Sequence, residues 1–125
     1  MKRIAIAGLL LAPSGAWAER VSNPIAVFAG LDKITGITTS FEIKVGEEKR
    51  FGGLVVRPAS CYSRAVTEEP KTTTFVDVDE VLLDGTKKRI FAGWMFAESP
   101  GLNAVEHPVY DVWLTSCRDP NAAPV

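Results

Sequence analysis

The sequence predicts an all-β fold, a small antiparallel sandwich or barrel of six to seven strands held by one disulfide. Short runs rich in β-branched and aromatic residues recur about every ten to fifteen residues. Helical periodicity is almost absent after residue 18, and no internal repeat or low-complexity segment interrupts the pattern. Two cysteines, Cys61 and Cys117, stand behind a leader-like start.

That start sets the compartment. Lys2 and Arg3 precede the unbroken apolar run Ile4 to Ala12, and Pro13, Ser14 and Gly15 then break any helix. Ala16 and Ala18 place small side chains at the two positions that a signal peptidase reads before Glu19. The apolar run is too short to cross a bilayer. The expected organisation is a signal peptide at 1–18, a single β domain at 19–117 and a flexible tail at 118–125. The expected location is the periplasm. In that oxidising compartment two cysteines most simply form one bridge, and closing a loop of this length stabilises by about 4 kcal/mol. A catalytic redox pair would call for neighbouring cysteines, and no Cys-x-x-Cys is present.

Composition excludes several partners. Loss of Lys2 and Arg3 takes the formal charge from −1 to −3, which gives no electrostatic reason to bind nucleic acid or anionic lipid. No second apolar stretch reaches membrane-spanning length, so no direct membrane span is expected.

Along the chain, Ile25–Phe28 and Lys33–Ile34 read as strand segments on either side of Gly30. Thr38–Val45 alternates, with Phe41, Ile43 and Val45 on one face and Glu42 and Lys44 on the other. Gly46 to Lys49 is a polar turn before Phe51 and Leu54–Arg57. Gly52-Gly53 predicts a bulge or a close backbone approach. Pro58 is expected to end ladder pairing or mark an edge before Cys61. Arg64–Lys71 is polar and reads as a surface loop. Thr72–Leu83 and Lys88–Ala97 flank Asp84-Gly85, a hairpin signal. Ser99–Pro108 is a connection able to hold one short helical turn. Val109–Cys117 is the last strand, and its parity is inconsistent. Tyr110, Val112 and Leu114 share the core face, yet Cys117 falls on the opposite side with Trp113 and Asp111. Either both faces are covered or the strand bends before the cysteine.

Aromatic residues concentrate in 89–117, which also holds the sole histidine, His107. On strand 90–97, Ile90, Ala92, Trp94 and Phe96 face one way, and Phe91, Gly93, Met95 and Ala97 the other. A strand apolar on both sides is either central in a sandwich or exposes a face to a partner. Candidate partner-binding residues are therefore Trp94, Phe96, Leu102, Asn103, His107, Tyr110 and Trp113. Glu106, His107 and Asp111 form the other candidate site, offering a base, a metal ligand and carboxylates to orient it. One histidine with scattered acids is a poor set for zinc or copper, so no metal and no cofactor is expected. Asp77 and Asp79 share a strand face, with Glu80 and Asp84 behind. Such pairs can hold calcium or perform glycosidic acid–base chemistry, although a solvated strand face explains the alternation with Val76 and Val78 equally well. Gly-x-Ser-x-Gly, Ser-x-x-Lys and phosphate-binding glycine loops are all absent, so no catalytic residue is named.

GLDKITG (30–36), RPASCYSR (57–64) and GWMFAESPGLNAVEHPVYDVWLTSC (93–117) resemble the DUF2155 family of exported proteins of Gram-negative bacteria. The resemblance runs from about Phe28 to Cys117. It implies no reaction, cofactor or catalytic residue. It does imply an envelope setting, with an association to an inner-membrane respiratory complex. Two functions follow as expectations. The first is a non-enzymatic periplasmic binding or accessory module that presents loop 98–108 and aromatic residues to an envelope protein. The second is a small hydrolase, or a ligand- or metal-binding domain, centred on His107, Glu106 and Asp111.

Overall fold

Alternating apolar residues build nine strands in the computed structural model, which describes residues 20–64 and 71–121. The expected signal peptide, most of the Arg64–Lys71 loop and the end of the tail (122–125) lie outside the described residues. Six strands have eight or more residues: β2 (Ile25–Asp32), β3 (Ile37–Lys44), β5 (Leu54–Arg64), β6 (Thr73–Val81), β7 (Lys87–Phe96) and β9 (Tyr110–Arg118). Three short ones complete the edges: β1 (Arg20–Ser22), β4 (Lys49–Phe51) and β8 (Val105–Glu106).

All pairing is antiparallel, in two sheets. The larger runs β1-β5-β6-β7, with β4 also pairing β5, and the smaller runs β3-β2-β9-β8. The sheets do not close on each other, which makes the fold a sandwich and not a barrel. Their facing sides share one core: Phe28, Phe41, Ile43, Val112 and Leu114 meet Leu54, Val56, Val76, Val78 and Met95. Burying each such side chain stabilises by roughly 1.5–3 kcal/mol.

Bulges resolve the parity of the last strand. Opposite β2, Val27 pairs with Ser116 and Phe28 with Leu114, so Thr115 is the extra residue in β9. Its hydroxyl donates to the Val27 carbonyl at 3.0 Å. The insertion shifts the alternation by one, so Cys117 turns to the same side as Leu114 and packs on the core. A second bulge lies in β5, where Pro58 pairs with Val76 and Ser60 with Phe75, leaving Ala59 unpaired. It turns Cys61 fully inward. Cys61 and Cys117 are bridged, with Cα atoms 5.7 Å apart, and tie the two sheets together.

Several expectations are corrected by local chemistry. Lys33–Ile34 is a turn: the Asp32 carboxylate accepts the N–H groups of Ile34 and Thr35, which stops strand pairing there. Pro58 neither ends the ladder nor marks an edge, because the adjacent bulge lets a residue without an N–H sit inside β5. Gly52-Gly53 forms the β4–β5 turn instead of a bulge, but the expected close approach is real. A Cβ on Gly52 would meet the Tyr110 ring at 2.4 Å. The 99–108 connection holds hydrogen-bonded turns and β8, with no helical turn. β7 is an edge strand and not a central one. Arg118, placed in the tail by sequence, closes β9 and pairs with Glu42 at 3.1 Å.

Candidate functional site

Cross-strand neighbours share a sheet face, and on the outer face of the larger sheet this rule assembles an aromatic shelf. Tyr62 lies opposite Thr73, Thr73 opposite Phe96, and Phe75 opposite Trp94. Trp94 meets Phe75 edge-on with centroids 5.3 Å apart and lies 6.3 Å from Tyr62. On the far side, Arg20 of β1 holds its guanidinium 4.0 Å above the Tyr62 ring. Inner-face Met95 is completely buried, whereas its neighbour Trp94 keeps 36% of its surface exposed.

The loop after β7 turns this shelf into a cleft. Asn103 donates from Nδ2 to the Trp94 carbonyl at 3.0 Å, and Ser99 and Leu102 close successive turns behind it. The cleft encloses about 540 Å³. Its apolar wall is Trp94, Phe96 and Leu102, the last 63% exposed, and its cationic wall is Arg20, Arg64 and Lys71. Glu98 also lines it but accepts the Thr72 N–H through both carboxylate oxygens, at 2.9 and 3.0 Å.

The structure separates the sequence candidates into two places. Trp94, Phe96, Leu102 and Asn103 gather at the cleft. His107, Tyr110 and Trp113 belong to β9 and its approach, in the smaller sheet. Tyr110 lies against Phe51, centroids 5.5 Å apart, and covers the Gly52 turn. Trp113 is half-buried beside Ala29.

Glu106, His107 and Asp111 each take a different role. The His107 Nδ1 accepts the Val109 N–H at 3.0 Å, which puts the ring proton on Nε2. Nε2 then donates to Glu80 at 2.9 Å, so both ring nitrogens are engaged. Asp111 pairs with Lys33 at 3.0 Å, an ionic contact without the alignment of a hydrogen bond, while Lys33 donates to the His107 carbonyl at 2.8 Å. Glu106 is exposed and lies opposite Asp111 in the β8–β9 pair.

Asp77 and Asp79 face Arg89 across the β6–β7 pair, at 3.6 and 2.5 Å. The Asp79 hydrogen bond, with the Asp77 charge behind it, raises the Arg89 proton affinity further. The two carboxylates thus serve as an ion-pair clamp. Among the described residues no three His, Cys, Asp or Glu side chains gather as a metal site. Nor is any described helix long and apolar enough to cross a membrane.

The family model described as "Uncharacterized protein conserved in bacteria (DUF2155)" matches residues 26–117. The chain belongs to the DUF2155 family. An uncharacterized protein of Rickettsia prowazekii (strain Madrid E) is 29% identical over 87 residues, covering 70% of this chain and 56% of the relative. The chain therefore spans about half the length of the curated relative it matches. No solved structure matches it.

The DUF2155 match contains both cysteines and most of the cleft, with Arg20 just outside it. Sequence reasoning missed Arg20, Tyr62, Arg64, Lys71 and Phe75. A signal was present in the period-2 spacing of Tyr62/Arg64, Thr73/Phe75 and Trp94/Phe96. It becomes readable only once the β1–β5–β6–β7 order is known, because residues far apart in the chain supply the shelf.

Proposed function

We propose that this DUF2155 chain is a non-enzymatic binding or accessory module of the bacterial envelope. It docks an envelope protein in the cleft beside loop 98–108, at the periplasmic face of the inner membrane. The observation that carries this reading is the half-exposed Trp94 at the wall of a concave, loop-buttressed cleft. A tryptophan held by two aromatic neighbours offers a large rigid contact area at little entropic cost, the property of interface anchors. The sheet-to-sheet disulfide and the leader-like start support an oxidising location.

The test is affinity capture from detergent-solubilised envelopes with the native chain and Leu102→Glu. Leu102 is exposed, so the substitution should leave the circular dichroism spectrum unchanged while recovery of the partner is lost. Equal recovery by both chains overturns the proposal.

A further inference from the structure

We infer that the cleft takes an extended acidic peptide segment lying across the strands, with an apolar side chain at the β7 end and carboxylates toward β1. This rests on the binding-module reading above and names the chemical class of its ligand. The sheet order gives the cleft a polarity. Trp94, Phe96 and Leu102 stand at the β7 side, while Arg20 and Arg64 stand opposite each other on β1 and β5. Lys71 lies just before β6.

Charge complementarity decides the occupant. Three cations line one cleft in a chain whose formal net charge is −1. Among the described residues none of the three forms an ion pair. The one acidic group among the described lining residues, Glu98, is turned onto the Thr72 N–H. Arg20, stacked on Tyr62, makes no side-chain hydrogen bond or ion pair among the described residues, and the edges of a guanidinium can grip a carboxylate.

Dimensions and hydrogen bonding set the mode. Four strands at about 4.8 Å spacing span roughly 14 Å, the reach of about four extended residues. Strand addition at the β7 edge is disfavoured, because the Trp94 and Phe96 carbonyls already accept from Asn103 and Ser99. The segment is therefore read by side chains on the sheet face. A flat lipid surface would not fill a concave site with an apolar wall at one end.

The test is calorimetric titration of the full chain, purified from its native cells, with the capped hexapeptides FSEEDE, ASEEDE and FSKKKK. FSEEDE should bind at least about tenfold tighter than either control, and raising salt should weaken it several-fold. Arg20→Ser with Arg64→Ser should reduce FSEEDE affinity about tenfold with an unchanged melting temperature. Equal binding of FSEEDE and FSKKKK, or tighter binding of an oligogalacturonate, overturns the acidic-peptide inference. Glu68 and Glu69 lie between Arg64 and Lys71 in the sequence. If FSEEDE binds only after Glu68→Gln with Glu69→Gln, the cleft serves the chain's own acidic segment and the inference falls. If no peptide binds yet Leu102→Glu still abolishes envelope capture, the inference fails and the binding module stands. If capture is also unaffected, both fail.

Discussion

Cys61 and Cys117 meet across the sandwich because each stands just beyond a β-bulge, at Ala59 in β5 and at Thr115 in β9. Without those insertions strict alternation from Pro58 and from Leu114 would point both cysteines away from the core. The two irregularities thus act as one device. Each breaks the ladder locally, and together they align the thiols that join the sheets.

Removal of this bridge should be among the most damaging single changes. Cys117→Ser frees the unfolded chain from a 56-residue separation constraint and should destabilise by about 4 kcal/mol. For a domain of this size that lowers the melting temperature by more than about 10 °C. Thermal circular dichroism under oxidising conditions would read it, and dithiothreitol should bring the native chain to the same point. An unchanged melting temperature would show that the bridge staples nothing.

Much of this architecture was legible because period-2 alternation and turn chemistry act locally. Phe41 and Ile43 announced β3, and Asp84-Gly85 announced the β6–β7 hairpin, where Asp84 accepts the Thr86 N–H and hydroxyl. What failed was non-local. Pro58 looked like a terminator because nothing in the sequence marks the neighbouring bulge. Trp94 and His107 looked like members of one cluster because they are close in the chain, yet Trp94 lies in the larger sheet and His107 in the β8–β9 turn of the smaller one. The cations of the cleft come from β1, the end of β5 and the approach to β6, a juxtaposition that only sheet order creates.

The close approach of Tyr110 to Gly52 predicts a graded response to added methyl groups. Gly52→Ala combines a left-handed φ of 58° with a Cβ 2.4 Å from the Tyr110 ring. Gly85→Ala carries a φ of 89° with nothing within 4 Å. The second should destabilise by about 1 kcal/mol from backbone strain alone. The first should exceed it by about 1–3 kcal/mol, since the ring must move out of the Phe51 contact. Urea midpoints of the two variants check this, and equal losses would mean that Tyr110 yields freely.

Acid stability should depend on exposed carboxylates at the turns. Glu48 is held below its ordinary value of 4.5, chiefly by its hydrogen bond to Arg57 and then by the Lys87 charge. A depressed carboxyl contributes stability that is fully present above the unfolded value and lost as pH falls through the folded one. Glu48→Gln should therefore lower the urea midpoint slightly at pH 7, and the gap should close at and below the acid range where Glu48 protonates. Both partners are solvent-exposed, so the effect is small and screened by salt. A gap of the same size at pH 7 and in strong acid would assign the loss to packing.

His107 gives the sharpest separation between architecture and recognition. Its imidazole accepts the Val109 N–H and donates to Glu80, which ties the approach to β9 to the end of β6 across the two sheets. His107→Ala removes both bonds and leaves Glu80 half-buried without its partner, at about 1–3 kcal/mol. The cleft at Trp94 and Leu102 lies at the other end of β6, beside Thr73 and Phe75, so envelope capture should persist at temperatures where the variant is folded. Chemical denaturation reads the first outcome and capture the second. If His107→Ala abolishes capture without measurable loss of stability, the histidine itself is the functional group, and the ligand- or metal-binding reading centred on it replaces the binding-module proposal.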